Sequence, residues 1–170
     1  QKKNKNTKII LFAGSFIEDL DIEPLIYAAK KSLNDNKDWI FILCGNGPKW
    51  LDLNKRIGAL KNTYLPGWIS SNTIRSLSNI PTVGVVLFRN IKNYRLSISN
   101  KTYEYISLGI PIFSSLHGSL NKFIIKYNVG VNFDSNNNKS LYFKLNNYFK
   151  DSRKFSQQSK NAFRIYREKF

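Results

Sequence analysis

The sequence predicts an α/β domain, a Rossmann-like doubly wound parallel sheet of about six strands. Three observations carry this expectation. Short apolar runs recur without polar alternation, as in strands buried on both faces. Segments with apolar residues at helical spacing separate them. The links are short and rich in Gly, Asn and Ser.

The elements follow in order. KIILFAG (Lys8 to Gly14) is a buried strand feeding a loop. From Asp21 the pattern turns helical, with Ile22, Leu25, Ile26 and Ala29 on one face and Pro24 in the tolerant first turn. WIFILCGNGP (Trp39 to Pro48) is a second strand ending in Gly-x-Gly. A helix over 50–60, a short strand over 63–65 and the pair Gly67-Trp68 come next. Ser71 to Leu77 reads as a short capped helix, VGVVLF (Val83 to Phe88) as the fourth strand and RNIKNYRLSISN as a loop. Lys101 to Leu108 suits a helix that Gly109 ends in left-handed conformation and Pro111 keeps from continuing. IPIFSS, SLNKFIIKYN and VGVNF give strand, helix and strand, and Lys139 to Phe149 a further helix. The tail from Ser152 places Phe155, Ala162, Phe163, Tyr166 and Phe170 at helical spacing.

Composition narrows the class. The 170 residues suit one domain, and a hydrophobic fraction of 42% argues against wholesale disorder. Against 11 acidic residues stand 27 basic ones, a net charge of +16. That points to an anionic partner: nucleic acid, a phosphorylated small molecule or an acidic membrane surface. The abundance of Asn, Lys and Ile marks a compositional bias that accounts for part of the charge. The single Cys44 excludes an internal disulfide, fits a cytoplasmic location and reads as a core residue. No apolar run approaches the roughly 20 residues of a membrane span, and no signal peptide is visible. Residues 1–7 read as a cut linker of a longer protein, and residues 8–170 as the domain.

In open parallel sheets, ligands sit outside the carboxyl ends of the strands where strand order reverses. The residues after each strand are therefore the candidates: Gly14 and Ser15; Gly45 and Gly47; Trp68 and Ile69; Ser99, Asn100 and Lys101; Ser114, Ser115, His117 and Gly118. Backbone amides at such turns and at helix N-termini suit phosphate. Neither a complete G-x-G-x-x-G fingerprint nor a Walker lysine motif occurs. Lys101 and Glu104 share one helical face at i, i+3. They are either a surface ion pair or two ligand contacts, phosphate for the lysine and ribose for the glutamate.

SNKTYEYISLGIPIFSS (Ser99 to Ser115) resembles the nucleotide-sugar site of family 4 type retaining glycosyltransferases of the GT-B fold. The nearest subgroup is the one acting in bacterial surface polysaccharide assembly. FAGSF, DIEPLIYAA, FILCGNGP, LPGWIS and SSLHGSL resemble further family segments, in the family's order, over about Lys8 to Phe170. The resemblance implies the C-terminal, donor-binding half of a two-domain enzyme, with the acceptor-binding N-terminal half outside this chain. Gly14 and Ser15 would approach the diphosphate, Trp68 and Ile69 would frame the base, Asn100 and Lys101 would lie by the phosphates, and Glu104 would bind ribose. Two departures stand out. The family's first glutamate of a pair falls at Leu96, and its early basic pair falls in the acidic SFIEDLDIE. Asn100 and Lys101 then supply most of the phosphate-facing charge.

The implied reaction moves a sugar from a nucleotide diphosphate sugar to an acceptor hydroxyl, with the leaving diphosphate stabilised by amides, Lys101 and a helix N-terminus. One His and no carboxylate pair at ligand spacing imply a metal-independent enzyme with no cofactor. His117 reads as a turn residue, and no residue is singled out as catalytic. Alone, the donor half is expected to bind nucleotide and not to turn over. Arg153, Lys154, Lys160, Arg164, Arg167 and Lys169 make the tail helix basic. A solvated face and attraction to anionic lipid at the inner membrane face both remain open. Two rival functions are a non-catalytic nucleotide-sugar module and a basic nucleic-acid-binding domain. Scattered basic residues and the lack of a nucleic-acid motif argue against the second.

Overall fold

The computed structural model describes residues 7–170; the linker expected over 1–7 lies almost wholly outside them. Each apolar run becomes a strand: β1 (Lys8–Ala13), β2 (Trp39–Cys44), β3 (Thr63–Gly67), β4 (Thr82–Val86), β5 (Ile112–Ser114) and β6 (Gly130–Asn132). The helices are α1 (Glu23–Asn34), α2 (Trp50–Ile57), α3 (Ser71–Leu77), α4 (Lys92–Arg95), α5 (Asn100–Ser107), α6 (Ser119–Tyr127), α7 (Ser140–Tyr148) and α8 (Ser152–Lys169). All strand pairs are parallel, in the order β3-β2-β1-β4-β5-β6. The chain builds outward from β1 to β3, then returns to lay β4 on the other side of β1. That reversal places a crevice at the carboxyl ends of β1 and β4.

Successive side chains of β1 feed opposite layers. Ile10 and Phe12 join Leu25, Phe41, Val83 and Leu141 in a core under α1 and α7. Ile9, Leu11 and Ala13 join Ile106, Leu120, Ala162 and Ile165 under α5, α6 and α8.

The switch point creates a hydrogen-bonding problem. β1 follows β2 along its whole length, from Lys8 opposite Trp39 to Ala13 opposite Cys44. It follows β4 only from Ile9 to Leu11. Ile9 donates to the Pro81 carbonyl, so alternate amides of β1 face β4. At Ala13 that neighbour has diverged. The hydroxyl of Tyr105, from α5, accepts the Ala13 N–H at 2.9 Å and lies 3.4 Å from the Leu11 carbonyl oxygen. Tyr105 is fully buried, and burial pushes its phenol far above the ordinary range, so it stays neutral. Gly84 in β4 makes room for it, because a Cβ there would lie 2.4 Å from the ring.

Several boundaries differ from the sequence expectation, each for a packing reason. β4 ends at Val86, before the apolar run does, because Phe88 leaves the sheet. It bridges antiparallel to Leu20 and stacks on Tyr94, with centroids 4.5 Å apart and planes 9° apart. The expected loop before α5 contains the single turn α4. In α8 the buried stripe is Gln158, Ala162 and Ile165, so Phe163 and Phe170 turn outward, 48% and 63% exposed. Gly109 is left-handed at φ +67°, as its place after α5 requires. Among the described residues no helix is long and apolar enough to cross a membrane.

Tyr105→Phe keeps the ring and strands the Ala13 amide. The expected loss of unfolding free energy is about 1–3 kcal/mol with an unchanged m-value. Wild-type stability in urea denaturation would show that this amide does not depend on Tyr105.

Candidate functional site

The floor of the crevice is three loops tied by backbone hydrogen bonds. Gly14 donates to Cys44 O (3.0 Å), Phe16 to Asn46 O (2.9 Å), Lys49 to Phe16 O (2.9 Å) and Gly45 to Gly67 O (2.7 Å). This tying explains two of the predicted glycines. A Cβ on Gly45 (φ +130°) would lie 1.8 Å from the Gly14 carbonyl oxygen, and one on Gly47 (φ +148°) 2.7 Å from that of Phe16. Both let the loop after β2 lie against the loop after β1. Gly14 is different. It has no positive φ, and a Cβ there would meet only the Phe12 ring, at 3.5 Å. Among the described residues nothing demands a glycine at position 14.

Gly14 and Ser15 line a recess between β1 and β4 together with Ser99 and Lys101. Its volume of about 30 Å³ admits a water or two, so any larger group must sit at its mouth. Across from it begins α5. Ser99 has the extended backbone of a helix cap, but its hydroxyl meets Thr102 Oγ1 at 3.2 Å, not a backbone amide. The first N–H groups of a helix lack intrahelical acceptors and carry its positive pole. In α5 the Thr102 N–H is taken by the Ser99 carbonyl at 2.9 Å, which leaves those of Asn100 and Lys101 at this edge.

Lys101 Nζ donates to Glu104 Oε2 at 2.6 Å, and both side chains are partly buried. The pair borders a second cavity of about 450 Å³, whose lining includes Ile69, Arg75, Tyr103 and Tyr166. Lys101 is the one residue lining both hollows. The structure therefore brings Gly14, Ser15, Ser99, Lys101, Glu104 and Ile69 to one connected edge. Trp68 points to solvent, 64% exposed, and lines neither hollow. Asn100, also exposed, lines a third hollow with Tyr94 and Leu116, which shares Phe88 and Ser99 with the recess.

The acidic segment after β1 faces other partners. Glu23 accepts both Arg56 guanidinium N–H groups, at 2.7 and 2.8 Å, and these bonds hold its carboxyl below the usual range. Asp19 accepts the Tyr94 hydroxyl at 3.2 Å. Burial and the nearby Glu23 charge raise the Asp21 pKa. Lys49 bonds the Leu20 carbonyl at 3.3 Å and brings a cation to this segment. Burial pushes the Cys44 thiol up to about 11 against the opposing charge of Lys101, so it is a protonated core group. His117 is exposed and lies in irregular backbone rather than a turn, where its backbone N–H donates to Asn90 Oδ1 at 3.1 Å, tying the loop after β5 to the loop after β4. Leu96 closes α4 and is 70% exposed. Among the described residues no three His, Cys, Asp or Glu side chains gather as a metal-binding group.

The family model for glycosyl transferases group 1 matches residues 1–165. The chain belongs to this family. Its fold is similar to that of the catalytic domain of cholesterol-alpha-glucosyltransferase from Helicobacter pylori, at 20% identity and TM-score 0.73 over 97% of this chain and 99% of that one. It is similar to Anabaena Alr3699/HepE, solved in complex with UDP and glucose, at 14% identity and TM-score 0.78. That match covers 97% of this chain and 45% of that one, so this chain spans under half its length. The C-terminal domain of a glycosyl transferase group 1 family protein from Francisella tularensis gives 19% identity and TM-score 0.73, covering 96% of this chain and 85% of that one. No curated protein matches the chain. At these identities the likenesses establish the fold, an all-parallel Rossmann-like domain of the kind that forms the C-terminal half of GT-B glycosyltransferases.

Sequence reasoning missed Tyr105, Arg75 and Tyr166. Tyr105 neighbours Glu104, yet nothing in a helical YEY says that its hydroxyl reaches β1. Arg75 and Tyr166 come from α3 and α8, too distant along the chain to pair with Lys101 by pattern.

The glycines separate by substitution. Gly45→Ala should lower the thermal midpoint by about 5 °C or more, through strain at positive φ and collision with Gly14. Gly14→Ala should leave it within about 1 °C, since a Cβ there makes ordinary contact. Equal losses in the two variants would refute the distinction.

Proposed function

We propose that this chain is the donor-binding half of a retaining glycosyltransferase, one that moves a sugar from a nucleotide diphosphate sugar to an acceptor hydroxyl in surface polysaccharide or glycolipid assembly. Membership of the glycosyl transferases group 1 family supports sugar transfer as the reaction class. The observation that carries the donor role is the position of Lys101, between a small recess edged by Gly14, Ser15 and Ser99 and a larger cavity edged by Glu104 and Ile69. A nucleoside diphosphate has the same layout, with an anionic end and a polar, planar end about one helical turn apart. The fold neighbour from Anabaena, solved with UDP and glucose, agrees with this ligand class.

In this reading the diphosphate rests at the recess mouth. Gly14 leaves space for its approach, the α5 N-terminus and Lys101 meet its charge, and no metal is invoked. Glu104 turns from Lys101 to accept hydrogen bonds from the ribose hydroxyls. The base enters the larger cavity beside Ile69. As the glycosidic bond to phosphate lengthens, charge grows on the leaving diphosphate, and fixed donors aimed at that charge lower the barrier. The acceptor site belongs to the N-terminal half, on the cytoplasmic side. An exposed Leu96, where the family resemblance places a glutamate, favours one second reading, a nucleotide-sugar module that binds without transferring.

Calorimetry with UDP, GDP and dTDP tests the site. One of them should bind, and Lys101→Ala should weaken that diphosphate at least about tenfold while changing the matching nucleoside little. Glu104→Gln should abolish discrimination between the ribonucleotide and its 2′-deoxy form. Failure of all three nucleotides, with tight salt-sensitive binding of single-stranded RNA, would overturn the donor reading. Transfer by the full-length enzyme, and none after Lys101→Ala, would separate the transferase from the binding module.

A further inference from the structure

The tail helix α8 has two distinct faces. Its inner stripe, Gln158, Ala162 and Ile165, is buried in the domain. Its outer stripe follows the same 3.6-residue period on the opposite side and carries Arg153, Lys160, Arg164 and Arg167, all exposed. Among the described residues, only Arg164 of these four has a carboxylate within ion-pair distance, Glu168 at 3.1 Å. Phe163 and Phe170 flank the cations, 48% and 63% exposed. The Arg167 guanidinium lies 5.8 Å from the Phe163 ring centroid. Beside this flank runs an open groove of about 620 Å³, lined by Leu108, Gly109 and Phe163, by the cations Lys160, Arg164 and Arg167, and by one carboxylate, Glu168, which Arg164 engages. The 18-residue helix makes the stripe about 27 Å long.

The amphipathicity that folding needs is already satisfied by the inner stripe. The outer stripe is a second one, basic with an apolar edge, and the domain does not use it. We propose that the outer face of α8 docks on an anionic lipid bilayer. Charge complementarity selects the occupant class, since Arg153, Lys160 and Arg167, with no carboxylate in ion-pair distance among the described residues, align along one helix face in a chain of net charge +16. The apolar edge selects a bilayer over nucleic acid. Phe163, Phe170 and the Leu108 groove offer apolar depth beside the cations, and Lys and Arg stems reach outward to headgroups. Docking would set the bilayer beside the donor site, because Tyr166 of the same helix lines the cavity of Lys101 and Glu104. The proposal stands apart from the donor reading, which is tested with nucleotides in solution.

Co-sedimentation with vesicles decides it. The chain should bind vesicles of phosphatidylcholine mixed with phosphatidylglycerol and not those of phosphatidylcholine alone. Lys160→Glu/Arg167→Glu should weaken that binding at least about tenfold. Lys55→Glu/Lys61→Glu, with the same change in net charge on exposed positions away from α8, should weaken it no more than about threefold. Phe163→Ser should weaken it with charge unchanged. Unaltered thermal midpoints and nucleotide binding would show that each variant folds. Equal losses for the two double variants, no binding to anionic vesicles, or RNA that competes the chain off them would each overturn the proposal.

Discussion

One hydrogen bond, from the Ala13 amide to the Tyr105 hydroxyl, reconciles the sheet with its crevice. A parallel sheet satisfies its backbone only while strands stay adjacent, and a ligand site needs two of them to part. Where β1 and β4 part, a buried N–H loses its ladder partner, and a buried unpaired donor is costly. The chain meets that amide with a side chain from α5, so the helix is fixed to the point of divergence by its own polar group. Lys101 and Glu104 precede Tyr105 on the same helix and inherit its placement. Gly84 enters the same arrangement, because the ring needs the space that a side chain on β4 would fill. Outside α5 lies α8, whose Ser159 would sit 3.2 Å from a Cβ on Gly109.

The loops repeat this logic with backbone alone. Gly45 and Gly47 let three strand ends share hydrogen bonds, and the result is a floor with little freedom to rearrange. Preorganisation of that kind matters for stabilising a developing anion, since donors already in place need no reorganisation as charge forms. The acidic segment after β1 would oppose an anion if its carboxylates faced inward. Arg56 and Tyr94 engage Glu23 and Asp19 elsewhere, and Lys49 adds positive charge nearby.

The sheet and its helices were legible in the sequence because their signals are local. Buried parallel strands are apolar runs, and Gly109 followed by Pro111 marks a helix end in any context. The misreadings share a cause, namely that the deciding contact lies far along the chain. Phe88 looked like strand until Tyr94 claimed its ring. KNYR is too short to show periodicity. Helical spacing grouped Phe163 and Phe170 with Ala162, yet the packing of Ala162 and Ile165 sets the phase of α8 and turns both rings outward. Glycines were visible as residues, but only dihedral angles and neighbours separate Gly45, where a side chain would be strained and would collide, from Gly14, where one would not. The i, i+3 spacing of Lys101 and Glu104 was plain, and the structure adds that they hold each other at 2.6 Å.

In the donor-binding reading, that contact shapes selectivity. A lysine already held by a tethered carboxylate does not meet incoming anions as a bare charge. Each newcomer competes with a neighbour at high local concentration. A simple anion such as inorganic phosphate can displace the carboxylate but gives it nothing in return, leaving a half-buried charge poorly solvated. A ligand that brings an anion and, one turn away, a vicinal diol rewards both partners at once. In the donor-binding reading the ion pair is therefore a filter built from two ordinary residues, one that discounts the abundant inorganic anions of a cell and admits nucleotides.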